Sequence, residues 1–505
     1  MSTPQLDNLP DEVTECINVH LDLHDLNSVR LVSRAMLTKT NQRHFRSFLC
    51  SKRLDLTRPS LELMAEMTAK HRLGCVIEEL TLVGIVYNTK ALQCQIWTGS
   101  KGLVGDCDEH GHVGFPTEFG TEADLAQATA ELEELKRQRA DYDQWHAAGK
   151  NVALLTEIFA NLAANTKLQG LVSIATDVAV FREDSSEREA PHERRGWRLV
   201  WQAAARTFHT LMLSLAGTTL SLRHLNLFHN YFSGHCSLER NELSFCDWQA
   251  DGVAFTLASL ESLSTSLSDR IPHETRHDRT ATGDPVELLN ADEFQGLLPI
   301  RDELINQGWA PECYAGLVEL LTSCKQLLQL NFRRCFILTR APGLHDHEGF
   351  KFLQHISSRG SLPNLQICSL GNFVVHERDL LAFLNNSPLL RTLTLHKFGL
   401  QHGGVWNNVF KLSTYEYTLH FEDLYQGDRR ILFDDGHDDT CEDCLADGLN
   451  VGQSTYRRAT GQSFSITWHI PDPLLSRPHH CVERRNEQQR DSFGPPVSYY
   501  PGLHN

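Results

Sequence analysis

Apolar residues follow two alternating periodicities along most of the chain. In stretches such as 152–162 they recur at spacings of three and four residues, which predicts a helix with one buried face. Such stretches precede runs of the form L-x-x-L-x-L-x-x-φ-x-φ, in which φ is an apolar residue, Asn or Cys. Because apolar residues at spacing two form one face of a short strand, the pattern predicts helices and strands in alternation.

Five clear copies of this run indicate a repeating architecture, and they begin at Ile77, Leu222, Leu327, Leu365 and Leu390. Weaker copies begin at Leu168 and Leu260, and residues 415–421 alternate like a closing strand. One helix–strand unit cannot bury its strand alone, so units of this kind stack into a parallel sheet with the helices outside. We therefore expect an α/β solenoid of about eight units, resembling leucine-rich repeats, over residues 51–470. Its outer helices are expected near 61–70, 152–162, 199–215, 314–323, 349–357 and 378–385.

The repeat length is irregular, which indicates insertions between the units. Leu365 and Leu390 are 25 residues apart, within the range of leucine-rich repeats, whereas Leu222 and Leu327 are 105 residues apart. Stretches low in apolar residues near 99–120, 182–196 and 268–285 predict disordered insertions, and 471–505 predicts a polar, flexible tail. The segment 121–142 has helical spacing instead, and predicts a helix that packs against the solenoid or projects from it.

The first fifty residues have a different pattern, which predicts three short helices. Pro10 suits a first helical position, and the acidic residues that follow it favour a helix N-terminus. Apolar residues then form two narrow stripes: Val13, Ile17 and Leu21 at spacing four, and Leu26, Val29 and Val32 at spacing three. Two such stripes predict only a small core. Periodicity alone is also compatible with a helical cap that closes the end of the solenoid.

Composition and charge narrow the classes of partner. The chain has 505 residues and a net charge of −17, which opposes binding to nucleic acid and to anionic membranes. No stretch approaches the roughly 18 consecutive apolar residues of a membrane span, and the N-terminus lacks the pattern of a secretion signal. The 14 cysteines at irregular spacing then predict reduced thiols in the cytoplasm or the nucleus.

The first segment resembles the F-box motif, in which LPxE is followed by spaced apolar residues, DL and then VSR. The matching positions are Leu9, Pro10, Glu12, Val13, Ile17, Leu21, Asp25, Leu26, Val29, Arg30 and 31–34. A helical cap has no need of Leu-Pro at the start of one helix together with Leu-Val-Ser-Arg at the end of the next. The resemblance implies an F-box domain in residues 1–50 that docks on a Skp-type adaptor, which in turn joins a cullin–RING ubiquitin ligase. In many F-box proteins a leucine-rich repeat solenoid downstream selects the substrate, and the irregular repeats here look like those of fungal F-box proteins.

Two strings suggest metal chemistry, but both lack the context that such a site requires. His273 and His277 belong to an H-E-x-x-H string, yet Pro272 precedes it and no apolar residues seat a helix there. Cys441 and Cys444 form a lone C-x-x-C without the second pair of a structural zinc site, which leaves a structural metal there as an alternative. The chain also has no Gly-rich phosphate-binding motif and no G-x-S-x-G. We therefore expect a protein that is not an enzyme and binds no cofactor.

The residues and the resemblance together predict the substrate-recognition subunit of an SCF-type ubiquitin ligase. A non-ligase scaffold built from the same F-box and repeats is the alternative. The expected adaptor contacts, some of which must instead hold the helices together, are Leu9, Pro10, Val13, Ile17, Leu21, Leu26, Val29, Leu31 and Val32. Contacts to a protein target should fall on strand residues that alternate with the inward leucines. These are His224, Asn226, Phe228, Gln329, Asn331, Arg333, Thr392, Thr394 and His396.

Overall fold

Helices and strands alternate through most of the described chain. The computed structural model describes residues 8–69, 76–87, 89–99, 119–164, 170–181, 197–229, 236–268, 312–335, 350–359, 362–401, 403–412, 417–427, 429–433, 455–458 and 468–469. The helices are α1 Asp11–Asn18, α2 Leu23–Arg30, α3 Arg34–Thr40, α4 Arg43–Cys50, α5 Arg58–Thr68, α6 Lys90–Thr98, α7 Glu122–Ala147, α8 Lys150–Ala163, α9 Trp197–Ala216, α10 Asp251–Ala258, α11 Glu312–Ser323, α12 Phe350–Arg359, α13 Glu377–Asn385 and α14 Trp406–Leu412, and Arg240–Phe245 is a 3-10 helix. The strands are β1 Ser51–Asp55, β2 Glu79–Val86, β3 Ser173–Val180, β4 His224–Leu227, β5 Leu238–Glu239, β6 Ser262–Ser268, β7 Gln329–Cys335, β8 Ile367–Gly371, β9 Val374–Val375, β10 Thr392–Leu400, β11 Thr418–Gln426, β12 Arg429–Arg430, β13 Leu432–Phe433, β14 Thr455–Arg458 and β15 Trp468–His469.

The strands form a large open sheet whose order follows the chain. The order is β1-β2-β3-β4-β6-β7-β8-β10-β11, and every neighbouring pair along it is parallel. The short strands β5 and β9 pair in parallel with β6 and β10. Parallel neighbours require a crossover connection, and helices such as α9, between β3 and β4, supply it. The predicted α/β class with a large parallel sheet is therefore confirmed.

The two faces of the sheet differ in chemistry because side chains alternate along each strand. On β7, Leu330 and Phe332 are buried, whereas Asn331 between them is half-buried. The buried positions face the helices: an added Cβ at Gly84 would lie 2.2 Å from Thr207 Oγ1 of α9. One apolar cluster, extending from β1 to β13, fills this side. The opposite side, here called the polar face, carries the alternate residues Asn226, Ser264, Asn331, Ser369 and Thr394.

The six predicted outer helices are present, each within three residues of its expected ends. The segment expected as a helix over 121–142 extends to Ala147 as α7, and it packs against α6 and α8. Thr121 starts α7 with a capping box, in which its hydroxyl accepts from Asp124 N and the Asp124 carboxylate accepts from Thr121 N. Tyr142, at the predicted end, and Trp145, three residues beyond it, are buried. The helix therefore continues for about one more turn, because this turn buries the two aromatic side chains.

Residues 11–50 form four helices instead of the three that were predicted. The third predicted helix divides at Asn41 and Gln42, because Asn41 leaves the helical region with ψ 46° and Gln42 is extended. Ser33 caps α3 by accepting a hydrogen bond from Met36 N at 3.1 Å. The fourth helix ends at Cys50, and β1 begins at Ser51. The helical segment is therefore joined to the sheet without a linker.

Both ends of the sheet contain elements that the sequence pattern did not predict. β1 has the sequence SKRLD, in which Leu54 is the one buried side chain, so it carries no apolar alternation. At the other end β11 pairs in antiparallel fashion with β12 and β14, and β13 pairs with β15. β12 and β14 cover part of the β11 edge, which would otherwise present unpaired backbone groups, whereas β13 and β15 form a separate two-stranded sheet. Apart from 99, 119–120 and 268, the insertions expected near 99–120, 182–196 and 268–285 lie outside the described residues, as does the tail 471–505.

Trp406 anchors α14 to the sheet, and its removal should destabilise the protein. The side chain is fully buried, its ring stacks on Phe410 with centroids 5.6 Å apart, and Nε1 donates to Tyr425 O at 2.8 Å. We expect Trp406→Ala to lower the free energy of unfolding by about 3–5 kcal/mol. Trp406→Phe keeps most of the apolar volume and loses the hydrogen bond, so its cost should be smaller. Chemical denaturation followed by circular dichroism measures both variants, and equal losses would contradict this account.

Candidate functional site

The first helix buries a polar face and exposes its apolar one. Thr14 and Asn18 are each 1% exposed, whereas Val13 and Ile17 are 43% and 39% exposed. The Thr14 hydroxyl donates to Pro10 O at 3.1 Å, which satisfies it within the helix. A surface helix normally packs through its apolar stripe. In α1 that stripe faces outward and is available to a partner.

Polar contacts from the third and fourth helices hold α1 in this orientation. Lys39 Nζ lies 3.2 Å from the carboxylate of Asp11, and Gln42 Nε2 donates to Asp11 O at 2.9 Å. The backbone N–H of His44 donates to Glu15 Oε1 at 2.7 Å. Because these contacts use the polar side of α1 and its first turn, they position the helix without using Val13 or Ile17.

Further exposed apolar residues follow on the neighbouring helices. Leu31 and Val32, in the turn after α2, are 88% and 74% exposed, and Leu37 on α3 is also exposed. Beneath them Leu26, Met36 and Phe45 are buried, while α1 and α2 both pack on α3 and α4. The exposed set, here called the N-terminal apolar surface, is Val13, Ile17, Val19, Leu31, Val32 and Leu37. Such a surface on a small helical segment is typical of a protein-binding site.

The structure separates the predicted adaptor contacts into exposed, half-buried and buried residues, a distinction that the sequence alone could not make. Pro10, Val13, Ile17, Leu31 and Val32 are exposed, and Leu9, Leu21 and Val29 are half-buried. Leu26 is fully buried and holds the helices together, so it is not an accessible contact. Sequence reasoning missed Val19, which lies off the spacing-four stripe, and Leu37 on α3, which belongs to neither predicted stripe.

From β4 to β10 the polar face is lined mainly by small hydroxyl and amide side chains, whereas on β2 and β3 the same side carries a small apolar cluster of Val83, Ile85 and Ala179. Of the predicted target contacts, His224 is exposed, and Asn226, Gln329, Asn331, Thr392 and Thr394 are half-buried. These six are accessible on the polar face. Asn331 Nδ2 donates to Ser264 Oγ of the neighbouring strand at 2.9 Å. The face can therefore exchange hydrogen bonds with an extended segment of a partner.

Phe228 was predicted to contact a target, but the structure places its side chain in the core. Strand β4 ends at Leu227, and Phe228 has a left-handed backbone with φ 59°. Its N–H donates to Thr176 Oγ1 at 3.1 Å, and its side chain is 1% exposed within the apolar core. The alternation that places Asn226 on the polar face stops before Phe228, because the left-handed residue turns the chain.

Arg333 and His396 lie on the polar face but are buried, at 8% and 5% exposed. They share one register row across four strands, in which Arg333 is paired with Gly371, Gly371 with His396, and His396 with Glu422. We call these four residues the charged row. His396 Nδ1 is 3.4 Å from Glu422 Oε2. Burial lowers the pKa of His396, and Glu422 opposes this effect only in part.

His229, just after β4, adds a second imidazole near this row. Burial and then the positive charge of Arg333 lower the pKa of His229 to about 4, so it is neutral at pH 7. Sequence reasoning missed both His229 and Glu422. On β11, Glu422 lies on the face opposite to Leu419 and Phe421, so the alternation of this strand could have identified it. No pattern in the sequence places His229 beside Arg333.

The strings that suggested metal chemistry lie outside the described residues, namely His273, His277, Cys441 and Cys444. Within the described ranges, no group of three His, Cys, Asp or Glu side chains is placed to hold a metal ion. None of the helices in those ranges combines the length and apolar character needed to cross a membrane.

Comparison of the chain with models of known families gives no match, and comparison with curated proteins gives none either. The functional interpretation therefore depends on the residues and geometry of the N-terminal apolar surface and the polar face.

Proposed function

We propose that this chain is the non-catalytic substrate receptor of an SCF-type ubiquitin ligase in the cytoplasm or the nucleus. In this proposal residues 1–50 are an F-box that binds a Skp-type adaptor through the N-terminal apolar surface. The parallel sheet and its helices are a leucine-rich-repeat-like solenoid, and its polar face binds a protein target. The observation that carries the proposal is the outward-facing apolar stripe of α1, in the segment that resembles the F-box.

The energetics of the N-terminal apolar surface favour a protein partner. Fully burying a Val, Leu or Ile side chain contributes about 1.5–3 kcal/mol, so several such residues together could support a stable complex. Interface cores are depleted in charged residues, and Val13, Ile17, Leu31 and Val32 are exposed side chains without charge. A helical cap would instead direct its apolar stripe toward the sheet.

The direct connection of the helices to the sheet suits a receptor. Because α4 ends at Cys50 and β1 begins at Ser51, a target on the polar face would be held in a restricted position relative to the adaptor. A receptor of this kind needs no catalytic residue. It brings a target lysine close to the ubiquitin carried by another subunit, which makes the encounter effectively intramolecular.

Co-expression with a Skp-type adaptor and a cullin tests the proposal. Co-purification of the full chain with both subunits would support the receptor function. Co-purification with the adaptor alone would favour the non-ligase scaffold, which has the same F-box and solenoid. If the adaptor does not bind, both functions are excluded and the first helices are a cap.

A further inference from the structure

Two large aromatic side chains are exposed where α6 ends and α7 begins. Trp97 on α6 is 87% exposed, and Phe119, just before α7, is 78% exposed. We call these two residues the aromatic pair. Gly120 N donates to Gly99 O at 2.8 Å, which joins the two parts of the chain that carry them. Because a large aromatic side chain can bury roughly 150–250 Å², the pair leaves about 250–400 Å² of aromatic surface in water. Apolar patches of this size are often functional.

The packing of the two helices does not use the aromatic pair. α6 and α7 contact each other, and α7 buries Ala128 and Leu132 instead. Within the part of the chain that the structure describes, neither Trp97 nor Phe119 contacts another aromatic ring. The fold therefore gains little from these two rings, and a partner that covers them would gain much of their apolar area.

The charges next to the aromatic pair are negative. Glu122 and Asp124 lie in the first turn of α7, which has no basic residue before Lys136. On α6 the one basic residue, Lys90, lies at the end opposite to Trp97. The C-terminus of α6 adds partial negative charge, and the two carboxylates outweigh the partial positive charge at the N-terminus of α7. A cation is therefore favoured at this surface and an anion is opposed.

We infer that the aromatic pair binds a basic segment of a partner protein, with an Arg or Lys side chain on the indole ring of Trp97 and close to Glu122. Trp attracts a cation to its ring face more strongly than Tyr or Phe, and it is enriched among the residues that dominate binding energies. Glu122 is exposed and makes no ion pair with the described residues, so its carboxylate is available to the same cation. This surface adds to the proposed function and does not depend on adaptor binding.

A basic segment fits this surface better than three other occupants. A purely apolar segment would remove Glu122 from water without giving it an opposite charge. An anionic membrane would be repelled by the two carboxylates of the first turn. A second copy of the chain in a symmetric contact would place this acidic surface against itself, and the chain has a net charge of −17.

Selection from a random peptide library on the full chain tests the inference, with a counter-selection on Trp97→Leu that removes peptides bound elsewhere. We expect the retained peptides to share an Arg or Lys. Binding of a fluorescent copy, measured by anisotropy, should weaken about 2- to 30-fold in Trp97→Leu, because Leu is apolar but has no ring. Replacing the shared Arg or Lys of the peptide with Gln should cause a similar loss. Glu122→Gln should weaken binding up to about 5-fold, and by less at high salt.

The controls make comparable changes on other elements and should leave the affinity unchanged. Phe245→Leu removes a ring that is 74% exposed in the 3-10 helix, and Glu319→Gln removes an exposed carboxylate on α11. The inference is overturned if no peptide is retained, or if the retained peptides share no basic residue. It is also overturned if wild type forms dimers that Trp97→Leu dissociates, since the occupant would then be a second copy. Adaptor co-purification is a separate measurement, so failure here is distinguishable from failure of the proposed function.

Discussion

Leu31→Asp with Val32→Asp should abolish adaptor binding while leaving the fold intact. The two side chains are 88% and 74% exposed, so Asp at either position meets water in the free protein. In the complex the variant loses about 1.5–3 kcal/mol of apolar burial per residue, and it also buries two carboxylates without partners. The expected loss of affinity is therefore about 1,000-fold or more.

The control is Leu213→Asp, which places a single carboxylate at a residue of α9 that is 60% exposed. Co-purification with the adaptor, followed by titration of purified components, measures the three chains. Thermal unfolding should give the same midpoint for wild type and for the Leu31 and Val32 variant. Normal adaptor binding by that variant would show that the N-terminal apolar surface is not the docking site.

The sequence predicted the sheet and its outer helices because both depend on repeated local patterns. Pairs such as Leu330 with Phe332 and Leu393 with Leu395 mark a buried strand face wherever they occur, and the helices between them have helical spacing. The order of the strands follows from the chain, since each helix–strand unit packs on the one before it. β1 was missed because Leu54 alone gives no alternation.

The candidate sites were less predictable because they depend on orientation rather than on pattern. Val13 and Ile17 lie on α1 as their spacing predicts, whereas Leu21 lies beyond the end of that helix, and periodicity cannot show whether a stripe faces a core or a partner. Contacts from residues some thirty positions later, such as Gln42 to Asp11, decide this orientation. Phe228 was assigned to the polar face because alternation cannot predict the left-handed residue that ends β4.

The charged row could not be predicted from the sequence either, because its members lie on four different strands. Arg333 and His396 were both predicted to face a target, but the register that aligns them with Gly371 and Glu422 is a property of the folded sheet. Sequence separations of up to 89 residues lie between members of the row. No local pattern could indicate that Gly371 in one unit lies between Arg333 and His396 of the neighbouring units.

Gly316→Ala should destabilise the protein although it lies within a helix. Replacing an exposed helical Gly with Ala usually stabilises by about 0.5–1 kcal/mol. Gly316 on α11 instead packs against the 3-10 helix Arg240–Phe245, where an added Cβ would lie 2.1 Å from Leu243 O and 2.4 Å from Ser244 N. Both are backbone atoms. Relief therefore requires the two elements to separate, which we expect to cost about 3 kcal/mol.

The surrounding contacts make that separation costly. Leu243 O already accepts a hydrogen bond from Trp248 Nε1 at 2.9 Å, and Arg240 Nη1 donates to Tyr314 OH of α11 at 2.7 Å. Gly371→Ala is the control, because its added Cβ makes only ordinary contacts and should cost less than about 1 kcal/mol. Urea denaturation of the three chains measures both changes. A Gly316→Ala variant as stable as wild type would mean that α11 and the 3-10 helix lie further apart than the structure shows.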